Sequence, residues 1–186
     1  MKKVLLLSFA IISLVSCGDK QKTSVDLETL KVQGDSITVV TQKALMSNVS
    51  NAIKKGGTTY GVEFCNTKAL VLTDSLSKKY EATIQRITDK NRNADNELTS
   101  ANDKALFSAF KENTQLQDSL IAENGKHIYY KRINLGMETC LKCHGTPDSN
   151  IDTETYLKIK EHYPLDKAVG YNLKELRGMW KITFDK

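Results

Sequence analysis

The order of periodic segments along the chain predicts an α+β fold. Apolar residues at helical spacing dominate the first part, β-alternating runs enter only from Ala82 onward, and helical patterns recur between and after them. Stretches dense in Asn, Asp and Gly mark the changes from one element to the next.

The chain opens on Met1-Lys2-Lys3 and a largely apolar run from Val4 to Val15. That run suits the core of a signal peptide and is shorter than the roughly 20 residues of a membrane span. It ends in Leu14-Val15-Ser16-Cys17, which resembles the lipobox of bacterial lipoproteins, in which the Cys carries the acyl chains. The expected plan is therefore a signal peptide over 1–16, a lipidated tether over 17–34 and one domain over 35–186. Such a protein sits on a membrane by its lipid, on the periplasmic side of the cell envelope, without spanning it.

From Asp35 to Lys55, Val39, Val40, Leu45, Val49 and Ile53 recur at helical spacing, with Asp35 or Ser36 as cap and Gly56-Gly57 as stop. A second helical pattern starts near Thr58 and carries Val62, Phe64, Cys65, Ala69, Leu72 and Leu76. Ala82 to Thr88 reads as a strand, and Asp89 to Thr99 as a loop. Asp103 to Glu112 reads as a helix that buries Leu106, Phe107 and Phe110. The turn signal Asn124-Gly125 introduces a strand from His127 to Leu135. Thr153 to His162 is a helix stopped by Tyr163-Pro164, and Gly178 to Phe184 is a closing strand. Charge is interspersed at a net +5, with no basic stripe, which argues against a nucleic-acid partner. A second copy packing along the N-terminal helix is compatible with this pattern.

The motif that carries chemistry is Cys140-Leu141-Lys142-Cys143-His144. Two Cys at this spacing match the two vinyl groups of a c-type haem, and the following His falls under the iron as proximal ligand. A zinc ribbon needs a second CxxC pair, which the chain lacks. A thioredoxin-like pair expects a βαβ context and has no use for the His. One covalent haem c is the expected cofactor.

With Cys17 assigned to lipid and Cys140 and Cys143 to haem, Cys65 remains. As a buried free thiol it is a small apolar residue; as a thiolate it is a sixth iron ligand. His127, His162, Met137 and Met179 are rival ligands, each with an ordinary structural reading as strand edge, helix end or core. Arg86, Arg92, Lys131, Arg132 and Arg177 are candidate partners for the haem propionates. Phe64, Tyr129, Tyr130 and Trp180 either line the haem or fill the core.

Four ordered blocks resemble a known family. They are Phe64-Cys65-Asn66; Arg86-Ile87-Thr88 leading to Arg92-Asn93-Ala94-Asp95-Asn96; CLKCHG over Cys140 to Gly145; and Tyr163-Pro164 through Tyr171 to Leu176-Arg177-Gly178. In this order they resemble a bacterial family of exported haem c domains with a PAS-like fold, long catalogued as of unknown function. The resemblance covers roughly Ile37 to Phe184. Ala94 and Leu98 stand where that family usually has prolines, and Lys174 where it usually has Gly. The resemblance implies a five-stranded antiparallel sheet with surrounding helices, a haem iron held by His144 and Cys65, and Arg92 and Arg177 as the favoured propionate partners. It leaves two functions open, a small electron carrier and a redox or small-ligand sensor, each working with a redox or signalling protein partner. A haem enzyme such as a peroxidase needs an open iron and distal acid–base residues, for which three His offer little.

Overall fold

The computed structural model describes residues 26–184, so Cys17 and the signal-peptide run lie outside the described residues. Five helices and four strands follow in the order α1 (Leu27–Thr67), α2 (Ala69–Tyr80), β1 (Ala82–Ile87), α3 (Ala101–Glu112), β2 (Asp118–Glu123), β3 (Lys126–Asn134), α4 (Glu138–His144), α5 (Thr153–His162) and β4 (Leu176–Phe184). The strands form one sheet in the order β1-β4-β3-β2, antiparallel throughout. The α+β fold class is that expected from the sequence.

α1 begins at Leu27, capped by Asp26, whose side chain accepts from the Glu28 backbone at 3.1 Å. The second half of the expected tether is therefore helical. Its composition is polar, but Leu30 packs on the sheet core, and Gly34 lets the helix approach so closely that a Cβ would overlap the Tyr129 ring. Asp35, expected as the cap, is instead inside the helix, bonded to Lys131 and to the Tyr129 hydroxyl. The expected stop at Gly56-Gly57 is a break within one long helical stretch. Gly57 sits at φ 75°, a left-handed backbone that only Gly adopts without strain.

One sheet face packs on α1 and α2 through Ile37, Leu45, Ala69, Ile84, Tyr129, Trp180 and Ile182. The other meets α3 through Ile87, Phe107, Phe110, Tyr130 and Met179. Tyr129, Tyr130, Trp180 and Met179 are thus core residues. The resemblance implied five strands, and the described residues hold four. Beyond β1 the Asn- and Asp-rich loop makes only an isolated bridge, Thr88 to Glu97, because its side chains bond its own backbone. Lys174 keeps the left-handed backbone, φ 69°, that a Gly would adopt freely. Among the described residues no helix is long and apolar enough to cross a membrane.

The α3 start is closed by a capping box between Ser100 and Asp103. Asp103 is fully buried and also accepts from the Tyr130 hydroxyl at 2.8 Å and from Lys181. Burial acts to raise its carboxyl, but bonds from Lys181, Tyr130 and the Ser100 backbone outweigh that and hold it below the usual range. A depressed Asp contributes stability above its unfolded pKa and loses it as pH falls through its folded value. Asp103→Asn is expected to cost about 3 kcal/mol at pH 7. In urea denaturation curves across pH, the gap between wild type and variant should close below about pH 4. A gap that stays constant to pH 3 would show that the charge is not what Asp103 contributes.

Candidate functional site

α4 is one short helix, and on it Cys140, Cys143 and His144 stand at i, i+3 and i+4, which places all three on one face. Its C-terminal end is fixed from outside. The Gly145 carbonyl accepts from Gly170 N at 2.8 Å, and the His144 carbonyl accepts from Tyr171 N at 3.0 Å. Leu141 anchors the helix in a small cluster with Leu135 and Tyr171, and Cys140 packs against that cluster. Cys143 packs instead against Val62, Ile151 and Ile159. Burial pushes the Cys143 thiol up to about 11.

His144 Nδ1 lies 2.8 Å from the Ala168 carbonyl oxygen. A carbonyl only accepts, so Nδ1 carries the proton and Nε2 keeps its lone pair. Desolvation, then the charges of Arg177, Arg92 and Arg86, drive the imidazole well below its ordinary pKa, so the ring is neutral at pH 7. Tyr171 meets it edge-on, with ring centroids 6.5 Å apart.

Cys65 lies in the part of α1 beyond the Gly57 break, which packs through Val62 on α5. Thr58 joins the same contact by bonding Thr155 and Asp152. Burial raises the Cys65 thiol, and the charges of Arg86 and Arg92 oppose that. Cys143 lies close enough to Cys65 to feel its charge. The structure thus brings Cys65, Cys140, Cys143, His144, Arg92 and Arg177 into one region.

The remaining candidates fall elsewhere. Met137 is about half exposed at the start of α4, and Met179 is core. His127 opens β3 and His162 ends α5, each with a buried ring nitrogen that has no partner. Lys131 pairs with Asp35, and Arg132 donates to the carbonyls of Asn113, Thr114 and Leu116. Two open hollows of about 590 and 660 Å³ flank the region, but neither is lined by Cys65, His144 or the arginines.

Arg92 donates from Nε to Asp166 Oδ1 at 3.0 Å, and from Nη2 to Asp166 Oδ2, to the Cys143 carbonyl at 2.6 Å and to the Ala168 carbonyl. Arg177 donates from Nη1 to the Lys90 carbonyl, stacks 5.5 Å from the Tyr171 ring, and is lowered by burial to about 10. Arg86 follows Ala82 and Ile84 on the alternation of β1, so its side chain projects toward α1 beneath Trp180, 6.0 Å from that ring. The sequence signal for Arg86 was available: a cation at the inward register of a strand whose other inward residues are core. Asp166 and Ala168 carried no such signal.

A model of the Tll0287-like family, described as Tll0287, matches residues 21–184. Among solved structures, the crystal structure of the cyanobacterial heme-protein Tll0287 resembles this fold with a TM-score of 0.63 at 22% sequence identity, covering 86% of this chain and 96% of that one. Among curated proteins nothing matches. With nearly its whole described length matched by the family model, the chain belongs to the Tll0287-like family.

Proposed function

We propose that the chain binds one covalently attached haem c and has a redox role on the periplasmic side of a bacterial membrane, where a lipid on Cys17 holds it. The observation that carries this reading is the His144 ring, neutral, fixed through Nδ1 by Ala168, and on the same helical face as two thiols. Cys140 and Cys143 supply the thioether attachment points, and His144 Nε2 supplies the proximal ligand. Cys65 is the sixth ligand in this reading, since it is the remaining thiol among the described residues and Arg86 and Arg92 offset part of the burial that raises it.

The residues fit the group in charge as well. Three half-buried guanidiniums converge, and among the described residues Asp166 is the one carboxylate bonded to them. The two propionates of a haem supply the missing negative charge. A bound haem c supplies reversible one-electron chemistry, while the protein sets ligation, burial and access. Electron transfer to a redox partner is the first reading. Redox or small-ligand sensing through a signalling partner is the second, favoured by the Gly57 break that sets the Cys65-bearing segment on its own joint.

Three measurements test this. After expression with haem c maturation, wild type should keep its haem stain on a denaturing gel. The Cys140→Ala, Cys143→Ala double variant should lose it entirely. A wild-type band without stain sinks the proposal. Cys65→Ala should replace a low-spin thiolate ferric spectrum by a high-spin one; unchanged spectra would return Cys65 to the role of a buried thiol. Carbon monoxide binding to ferrous wild type would favour the sensor, and its absence the carrier. Finally, Cys17→Ser should move the protein from the membrane to the soluble fraction, and continued sedimentation with membranes would remove the lipid anchor from the account.

A further inference from the structure

The three arginines are not equivalent. Arg92 has its charge matched by Asp166, whose side chain is only 1% exposed, and spends its other bonds on the carbonyls of Cys143 and Ala168. Those bonds join the loop after β1 to α4 and to the segment before Tyr171. Arg177 makes one bond, to a backbone carbonyl, and its Nε is buried without a partner. Arg86 is half-buried, with its guanidinium 6.0 Å from the Trp180 ring. Among the described residues no carboxylate forms a salt bridge with Arg86 or Arg177. Like charges that feel each other in a low-dielectric site are costly unless an anion joins them.

Their placement is also distinct. Arg177 stacks 5.5 Å from the Tyr171 ring that meets His144 edge-on, whereas Arg86 projects from β1 toward α1, the helix that carries Cys65. One unmatched guanidinium therefore sits toward each of the two groups that would bracket an iron. The two propionates of a haem leave one edge of the ring and can turn to opposite faces. A planar guanidinium fork matches a carboxylate with two parallel bonds.

From this juxtaposition we infer that Arg86 and Arg177 are a two-point receptor for a pair of carboxylates, one taken by each guanidinium, and that Arg92 is a structural latch outside that receptor. The inference rests on the haem reading above and assigns residues that reading leaves open. It moves the propionate role expected for Arg92 to Arg86, while Arg177 keeps the role expected from the sequence.

The test uses purified holoprotein and resonance Raman bands of the propionate bending modes, with the visible spectrum as a check on axial ligation. Arg86→Gln and Arg177→Gln should each shift one of the two bands and leave the axial ligation unchanged. Arg92→Lys, which keeps the charge facing Asp166, should leave both bands in place while lowering Tm by several degrees. Should a Gln variant fail to mature, Arg86→Lys and Arg177→Lys keep the charge and lose the fork, and the same band should shift. Bands unmoved in the Arg86 and Arg177 variants, or a band moved in Arg92→Lys, would overturn the assignment. Wild type without covalent haem would instead remove the reading beneath it, so the two failures are distinguishable.

Discussion

The Arg92–Asp166 pair is the interaction on which the rest of the site depends. Burying two charges is unfavourable unless both are paired and their remaining bonding capacity is filled. Here it is filled with backbone. Arg92 takes the carbonyls of Cys143 and Ala168, and Asp166 Oδ1 accepts from the Ala168 amide at 3.0 Å. The Ala168 backbone is thereby gripped at both its N–H and its C=O. That same carbonyl fixes the His144 ring. The orientation of the imidazole is thus inherited from an ion pair that touches neither of its nitrogens, the usual way a protein sets a metal-ligating His.

The charges around that latch act in one direction on two different side chains. Three guanidiniums disfavour the imidazolium of His144, and two of them favour the thiolate of Cys65. Neutral imidazole and thiolate are the forms that bind metals. Burial reinforces the first effect and opposes the second, so the cations matter more for Cys65 than for His144. A single cluster of positive charge accordingly keeps His144 neutral and offsets part of the burial that raises the Cys65 thiol, and at the same time calls for an anion of its own.

Part of this was legible in the sequence: CLKCH carries the expectation of haem c, and helices such as α3 and α5 lie close to where the periodicity places them. What was not legible depended on distant partners. The polar start of α1 is helical because Gly34 meets Tyr129, far along the chain, and Leu30 packs on the same sheet core. β2 is a half-buried edge strand without clear alternation, so it emerges only from pairing with β3. α4 is seven residues long, too short for any period to show. The role of Arg92 is set by Cys143 and Asp166, 51 and 74 residues away, and a lone Arg in an Asn-rich loop reads as surface charge.

The location of the site follows from how α1 is divided. Its first part, through Ile37 and Leu45, belongs to the sheet core, whereas the part beyond Gly57 belongs, through Val62, to a smaller core with Ile151 and Ile159. Cys65 is carried by the second body and Arg86 by the first. α4 lies between further small clusters, with Cys140 against one and Cys143 against another. Where separate cores meet, no single set of apolar side chains fills the seam, and polar groups can be enclosed there if they satisfy one another. The arginines, the thiols and His144 all gather at that seam. A cofactor held there would touch both bodies, so its loss or a change in its ligation would act directly on how they are joined at Gly57.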